Sequence, residues 1–528
     1  MTPRAPLSPP RGSIQASRLQ FSQQLSLDKF LRLPPVFRTT EKLDSLHCVA
    51  YSGAVNHRGP RAMVTALLLL SVTAGLSQEK PDNFAWEKAR GTIVDPMVCL
   101  DDPAQSYALY LPSAYSPDRR WPVIYAFDAG GRGRTAVEVY QSAAEKYGYI
   151  VAASNNSKNG PASIQTEASQ AVWLDTHRRF SIDKNRVYTT GFSGGARAAT
   201  SFALYCYTCA VAGVIAQGAG YPVMDRKTPP INDHFAYYVA IGDVDFNFPE
   251  IMTLRRKKDE QGMSFKIKVY PGQHQWAPPA IAEDAIEWME IKAMQSGVEK
   301  VNAVFVRRIF ERTQAEAAQA ERAGDALGQY YALRSLVRDF NGLEDITQFE
   351  AMLAALKVSK TWKDANRDEQ REIALQASLT ATASLELGRL GSVEAANQPM
   401  LAQHIASMMK NLQYGEKSNG SDRAVSSRAF AQLWMEGIEA GQDQFRQRRF
   451  TEAISYFALM AEVAPDQPGP LVLLAEANVR LGNKKEALKN LKEAVKRGLK
   501  YTKTLTEDPE LRPLASDPTF QQIVQGTN

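Results

Sequence analysis

A chain of 528 residues is longer than one hydrophobic core normally organises, and at roughly 150 residues per domain it is expected to hold two or three. Its net charge of +5 is unevenly placed: residues 1–62 carry nine Lys/Arg against three Asp/Glu, leaving 53 basic and 54 acidic residues elsewhere. The body is therefore near neutral, which argues against a nucleic acid or another polyanion as its partner.

In chain order, residues 1–62 are Pro-rich at the start and lack a sustained hydrophobic period, and they read as a disordered or mis-annotated extension. Arg58 and Arg61 then precede the apolar run Met63–Gln78, which ends in the small-x-small pair Gly75 and Ser77. A basic flank, an apolar stretch of this length and small residues at its end make a signal-peptide pattern over 63–77, too short to span a bilayer comfortably. The mature chain is expected to begin near Gln78 and to be periplasmic or secreted, without a membrane span. Cys206-Tyr207-Thr208-Cys209 is a C-x-x-C with no second Cys/His pair at zinc-finger spacing, so it reads as structural or disulfide-bonded; no metal-ligand cluster and no cofactor motif is present.

Residues 78–298 alternate strand-like and helix-like stretches, the pattern of a mostly parallel sheet covered by helices. Strands are predicted at Tyr107–Leu111, Val123–Phe127, Tyr149–Ala153, Arg186–Gly191, Ala212–Gln217, Phe235–Ile241 and Ser264–Tyr270, and a helix at Gln165–Phe180. Working groups in such sheets gather in the loops after the strands. The first of these loops, Asp128-Ala129-Gly130-Gly131-Arg132-Gly133, matches neither phosphate-binding glycine pattern, and its small residues suit backbone donors to an oxyanion, Ala129 or Gly130 being the nominees.

Gly191-Phe192-Ser193-Gly194-Gly195 is a G-x-S-x-G stretch between a predicted strand and a helix start, so Ser193 is the candidate nucleophile and the Gly194 N–H the second oxyanion donor. In the order Ser, acid, His, the histidines after Ser193 are His234, His274 and His404. His234 enters the strand before the acid loop and His404 lies in the helical tail, which leaves His274, just beyond the last predicted strand. His177, in the helix before the nucleophile, reads as a packed or solvated residue. The loop after Phe235–Ile241 offers two carboxylates; Asp245, further into the loop, is the candidate acid and Asp243 the alternative. In a fully extended segment both would face the same side, so a turn is required to send one of them to His274.

Ile182 to Gly195, with Tyr107-Ala108-Leu109-Tyr110-Leu111-Pro112 upstream and Gly272-Gln273-His274-Gln275-Trp276 downstream, resembles the poly(3-hydroxybutyrate) depolymerase and feruloyl-esterase-like branch of the α/β-hydrolases over roughly residues 85–295. The resemblance implies a serine carboxylic-ester hydrolase working through an acyl-enzyme without a cofactor. One departure stands out: many relatives have a His-Gly pair where this chain has Asp128-Ala129, which puts a carboxylate near the site.

Strand signals stop after Gln295, and Ala, Leu, Glu, Gln, Lys and Arg recur at helical spacing. Ala453 and Phe457 align with Ala487 and Leu491 at a period of 34, which is similar to tetratricopeptide repeats, with Pro465 closing the first unit. Residues 421–528 are thus expected to be TPR-like, with degenerate helices over 299–420 completing the stack. The expected fold class is an α/β-hydrolase sheet domain followed by an all-α helical-repeat domain. The expected function is that of an exported serine hydrolase of small or polymeric esters, its helices binding a protein partner or shaping the active-site entrance. The alternative is a catalytically impaired scaffold that binds partners through the repeats.

Overall fold

Runs such as Trp121-Pro122-Val123-Ile124-Tyr125-Ala126-Phe127, apolar without alternation, must be buried on both faces, as a parallel sheet between helix layers allows. The computed structural model describes residues 84–528 apart from 207, 223–231, 233, 261–262, 395, 416–420, 500–501 and 526–528, so the expectations for 1–62 and 63–77 lie outside the described residues. From Trp86 onward the chain forms one unit.

Its first half runs α1 (Trp86–Ala89), β1 (Ile93–Val98), β2 (Ser106–Tyr110), β3 (Trp121–Asp128), α2 (Gly133–Tyr147), β4 (Ile150–Ser154), α3 (Ala162–Arg179), β5 (Ile182–Phe192), α4 (Gly194–Tyr205), β6 (Val211–Gln217), β7 (Ala236–Gly242), α5 (Phe248–Glu260), β8 (Phe265–Tyr270) and α6 (Pro279–Gln295). The strands form one eight-stranded sheet in the order β1-β2-β4-β3-β5-β6-β7-β8. β2 is antiparallel to both its neighbours, and from β4 to β8 the strands are parallel. Helices α2 and α6 bury Ala136, Val137, Tyr140, Ile286 and Met289 in one apolar layer with the sheet. The seven predicted strands are all present, and the structure adds β1. That strand escapes a pattern search because it is an edge strand with Pro96 and exposed residues in its middle, where alternation is weakest.

The second half is helical: α7 (Ala303–Ala323), α8 (Ala326–Asp339), α9 (Thr347–Val358), α10 (Lys360–Leu390), α11 (Gln398–Gly415), α12 (Ser421–Arg446), α13 (Phe450–Val463), α14 (Gly469–Arg480), α15 (Lys484–Lys496), α16 (Thr502–Glu507) and α17 (Pro518–Gln525). The joints are capped as the sequence dictates. Asn302 accepts the Phe305 N–H at the start of α7, Gly324 ends that helix in the left-handed conformation, and Asp325 accepts the Gly328 N–H to begin α8.

Among the described helices, α7 to α9 share a core with Ile291 and Met294 of α6, α10 to α13 share a second, and α13 to α17 close the rest. The four positions related by the 34-residue period, Ala453, Phe457, Ala487 and Leu491, are all buried. The 31-residue α10 joins the first two cores, and its buried positions, Glu369, Gln376, Thr380, Ala383, Leu387 and Leu390, fall on one helical stripe. Among the described residues no helix is long and apolar enough to cross a membrane. Cys206 and Cys209 are joined in a disulfide. Cys99 is a buried free thiol, its pKa pushed up to about 12 by burial and the nearby Asp175.

Candidate active site

Parallel strands deliver their carboxyl ends to one rim of the sheet, and there β3, β5, β7 and β8 each hand over to a loop. Ser193 follows β5 directly, with φ of 57° and ψ of −122°. A non-glycine residue in that region costs about 1–3 kcal/mol and persists only where its surroundings enforce it. Two contacts enforce it. A Cβ on Gly191 would collide with the Gly195 carbonyl, and one on Gly195 with the Phe127 carbonyl, so strand, turn and helix approach as closely as the backbone allows. The Ser193 N–H donates to the Gln217 carbonyl of β6 at 2.9 Å, pinning the turn to the sheet. Strand order and this serine elbow after β5 together make it an α/β-hydrolase sheet.

Ser193 Oγ lies 2.8 Å from His274 Nε2, and His274 Nδ1 lies 2.9 and 3.0 Å from the two carboxylate oxygens of Asp245. A carboxylate can only accept, so Nδ1 carries the proton and Nε2 is left to accept from the serine hydroxyl. Asp245 is fully buried and also accepts the Asn247 N–H at 2.8 Å, while Asn247 in turn donates to the Gly218 carbonyl at 2.7 Å. Phe192 and Phe246 stand against the imidazole with ring centroids 4.6 and 4.2 Å away, screening it from water.

Asp243 is not at the histidine. The chain turns after β7, the Asp245 N–H donating back to the Gly242 carbonyl at 3.2 Å, and this sends the two side chains apart; Asp243 accepts the Gly272 N–H at 2.9 Å and so braces the histidine loop instead. His234 lies beside Asn232, its N–H on the Asn232 side chain. His404 pairs with Glu386 at 3.0 Å, and His177 packs tilted against Trp173, ring centroids 4.1 Å apart, its pKa lowered by burial.

The β3 loop differs from expectation at two residues. The Gly130 N–H, one nominated oxyanion donor, is engaged by Asp128 Oδ1 at 2.8 Å, which leaves Ala129 as the nominee from this loop. The Gly194 N–H opens α4 and has no carbonyl four residues back to serve. Asp128 itself is fully buried and accepts from Arg132 at 2.8 and 3.0 Å and from the Trp276 indole at 2.7 Å. Burial alone would raise its pKa, but the hydrogen bonds from Arg132 and Trp276, with the Arg132 charge and the Gly130 N–H, hold it below the usual carboxylate range. The carboxylate that the sequence puts near the site therefore ties the β3 loop to the loop carrying His274. Gln217 adds a second tie, its side chain accepting the Ala277 N–H at 2.9 Å.

Sequence reasoning missed three kinds of contributor. Arg132 lies in the glycine-rich loop and could have been suspected as the partner of Asp128, four residues away. Asn159 donates its N–H to the Ala129 carbonyl at 2.8 Å and lays its side-chain amide over Gly194, where a Cβ would collide with it. Gln376 and Arg428 reach the acid loop from α10 and α12, and nothing local marks them. Among the described residues no three His, Cys, Asp or Glu side chains gather as a metal site.

The sequence matches no protein-family model and no curated protein. Similar solved structures include an S-formylglutathione hydrolase from Staphylococcus aureus (14% identity, TM-score 0.29, 35% of this chain and 90% of that one). They also include a feruloyl esterase module from Clostridium thermocellum (16%, TM-score 0.30, 36% and 85%) and an esterase from the archaeon Pyrobaculum calidifontis (13%, TM-score 0.31, 38% and 86%).

Proposed function

We propose that the protein is a serine hydrolase of carboxylic esters, of the poly(3-hydroxybutyrate) depolymerase and feruloyl-esterase-like kind, working through an acyl-enzyme. The observation that carries this reading is the unbroken chain Ser193 Oγ, His274 Nε2, His274 Nδ1, Asp245, at 2.8 and 2.9 Å. Ser193 Oγ bonds to the ester carbonyl carbon as its proton passes to His274 Nε2. The carbonyl oxygen, now an oxyanion, is held by the Gly194 N–H at the positive end of α4, with the Ala129 N–H as the second nominee. His274 returns the proton to the departing alkoxide, releasing the alcohol. Water then attacks the acyl-serine by the same route, giving up a proton to His274 and freeing the acid. Asp245 fixes the imidazole and stabilises its charged form.

Export from the cytoplasm is part of the proposal. It is supported by the signal-like pattern over 63–77 and by the Cys206–Cys209 disulfide, which an oxidising compartment favours. The TPR-like spacing over 421–528 supports a further role in binding a protein partner. The oxygens of Asp128, the carboxylate near the site, are occupied by Arg132, Trp276 and Gly130, which favours hydrolysis over the reading of an impaired scaffold. Ser193→Ala should reduce hydrolysis of p-nitrophenyl acetate by about 10⁶-fold and abolish covalent labelling by a fluorophosphonate. Retention of both by the folded variant would exclude the assignment.

A further inference from the structure

The acid loop is held from outside the α/β half. Asp245 sits between two loop carbonyls, and each accepts a hydrogen bond from a side chain of the helical half. Arg428 of α12 donates to the Asp243 carbonyl at 2.8 Å, and Gln376 of α10 donates to the Phe246 carbonyl at 3.1 Å. The two side chains are also tied to each other, Arg428 Nε donating to Gln376 Oε1 at 3.1 Å. Arg428 makes a third bond to Glu372 at 2.9 Å, lies over the Phe248 ring at 4.7 Å and is only 3% exposed. Gln376 is completed by Gln432 of α12, which it approaches at 3.0 Å. Arg428 and Gln432 are four residues apart, and Glu372 and Gln376 likewise, so each helix presents one face to the loop.

A loop carbonyl is an ordinary place for water, and a loop whose carbonyls bond only to water is free to shift. Here a buried guanidinium and a buried amide fix the backbone two residues before the acid and one residue after it. With both bonds made, the Asp245 carboxylate has little room to swing away from His274 Nδ1. We infer that Gln376 and Arg428 are positioning residues for the hydrolytic site, so that the helical half completes the catalytic apparatus as well as packing against it. This rests on the proposed roles of Ser193, His274 and Asp245.

The test separates positioning from mere attachment. Gln376→Glu keeps the size of the side chain and its acceptor for Arg428 but removes the donor to Phe246. Arg428→Met removes the donor to Asp243, and Arg428→Lys restores one charged donor. A further pair, Arg255 of α5 with Glu369 of α10 at 2.6 Å, joins the two halves without touching the acid loop, so Glu369→Gln serves as the control. Displacements near 1 Å at a catalytic centre cost on the order of 100-fold in rate. The full chain carrying Gln376→Glu or Arg428→Met should accordingly lose about 10- to 100-fold in kcat on p-nitrophenyl acetate, with KM within about threefold of the parent. Arg428→Lys should recover part of the loss, and Glu369→Gln should leave kcat within about twofold. Folding is checked by far-UV circular dichroism. Parental kcat in both Gln376→Glu and Arg428→Met would overturn the inference, as would an equal loss in Glu369→Gln. An active Ser193→Ala variant would instead remove the reading beneath it, so the two failures can be told apart.

Discussion

The two halves are assembled by different physics. In the α/β half the candidate site comes from the ends of β3, β5, β7 and β8, and what makes it possible is absence: Gly191, Gly194 and Gly195 leave no side chain where backbone or Asn159 must pass. The helical half has apolar cores of its own, and where it meets the sheet domain it adds polar and charged groups, most of them buried, to the apolar contact of α7 to α9 with Ile291 and Met294. Arg255 pairs with Glu369, Arg334 donates to the Phe265 carbonyl at 2.5 Å, Arg312 binds Asp284 and Glu287, and Arg428 spans Glu372 and Asp243. Apolar packing tolerates small slips, whereas a buried ion pair accepts one geometry and strongly penalises a missing partner. The interface therefore sets orientation as much as adhesion.

The largest effect that would test this contrast is local to the strand ends. Asp245→Asn should cost about 10⁴-fold in kcat by presenting an amide to His274 Nδ1, whereas Asp243→Asn, which keeps an acceptor for Gly272, should stay within about twofold; ester turnover of the two purified variants decides it. If the two were equal, the turn after β7 would not be what selects the acid. At the interface, Glu369→Gln removes one charge of the buried Arg255–Glu369 pair. It should destabilise the protein by about 3–5 kcal/mol in denaturant titration while the folded fraction keeps its turnover. Unchanged stability would mean that the ion pairs contribute nothing net to joining the halves.

The smallest effect is a pH dependence of opposite sign in the two regions. Burial by itself would raise Asp284 of α6, but Lys266 and Lys268, with Tyr238 and Arg312, bring its pKa to about 2. Its contribution to stability is present above the unfolded carboxylate value and is lost as pH falls towards 2. Glu476 of α14 behaves oppositely: burial, reinforced by Asp508 and Glu510, raises its pKa to about 8. Its favourable share is complete below the unfolded value near 4.5 and is lost as pH rises through 8. Hydrogen exchange should show α14 to α17 opening more readily at pH 9 than at pH 6, and Glu476→Gln should remove most of that difference. An unaltered profile in the variant would assign the effect to other groups.

How much of this is legible in the sequence follows the same division. Ser193 and His274 could be found because the elbow is a local pattern and the chain order leaves few histidines. Asp245 is preferred in the sequence only for its place further into the loop, whereas what separates it from Asp243 is a single turn bond, Asp245 N–H to the Gly242 carbonyl. The sequence places the Asp128 carboxylate near the site, but what it does there depends on Trp276, 148 residues later. Gln376 and Arg428 act 130 and 185 residues from the carbonyls they hold, and a glutamine or arginine on a helix looks like a solvated residue until the partner is in view. The 34-residue spacing picks out Ala453, Phe457, Ala487 and Leu491, all of them buried, but the division of the helices among separate cores was not legible, because that is decided by α7 to α9 packing on α6.

The single stripe of α10 carries a constraint of phase. At about 1.5 Å per residue the helix is roughly 46 Å long, and its first buried positions, Glu369 and Gln376, serve the sheet domain while Ala383, Leu387 and Leu390 serve the second helical core. Two unrelated partners thus read one rotation of one rod. Inserting a residue between Gln376 and Ala383 would turn the two ends about 100° out of step, so that no rigid shift could seat both. The length of this helix between its two partners can change only in increments that restore its angle.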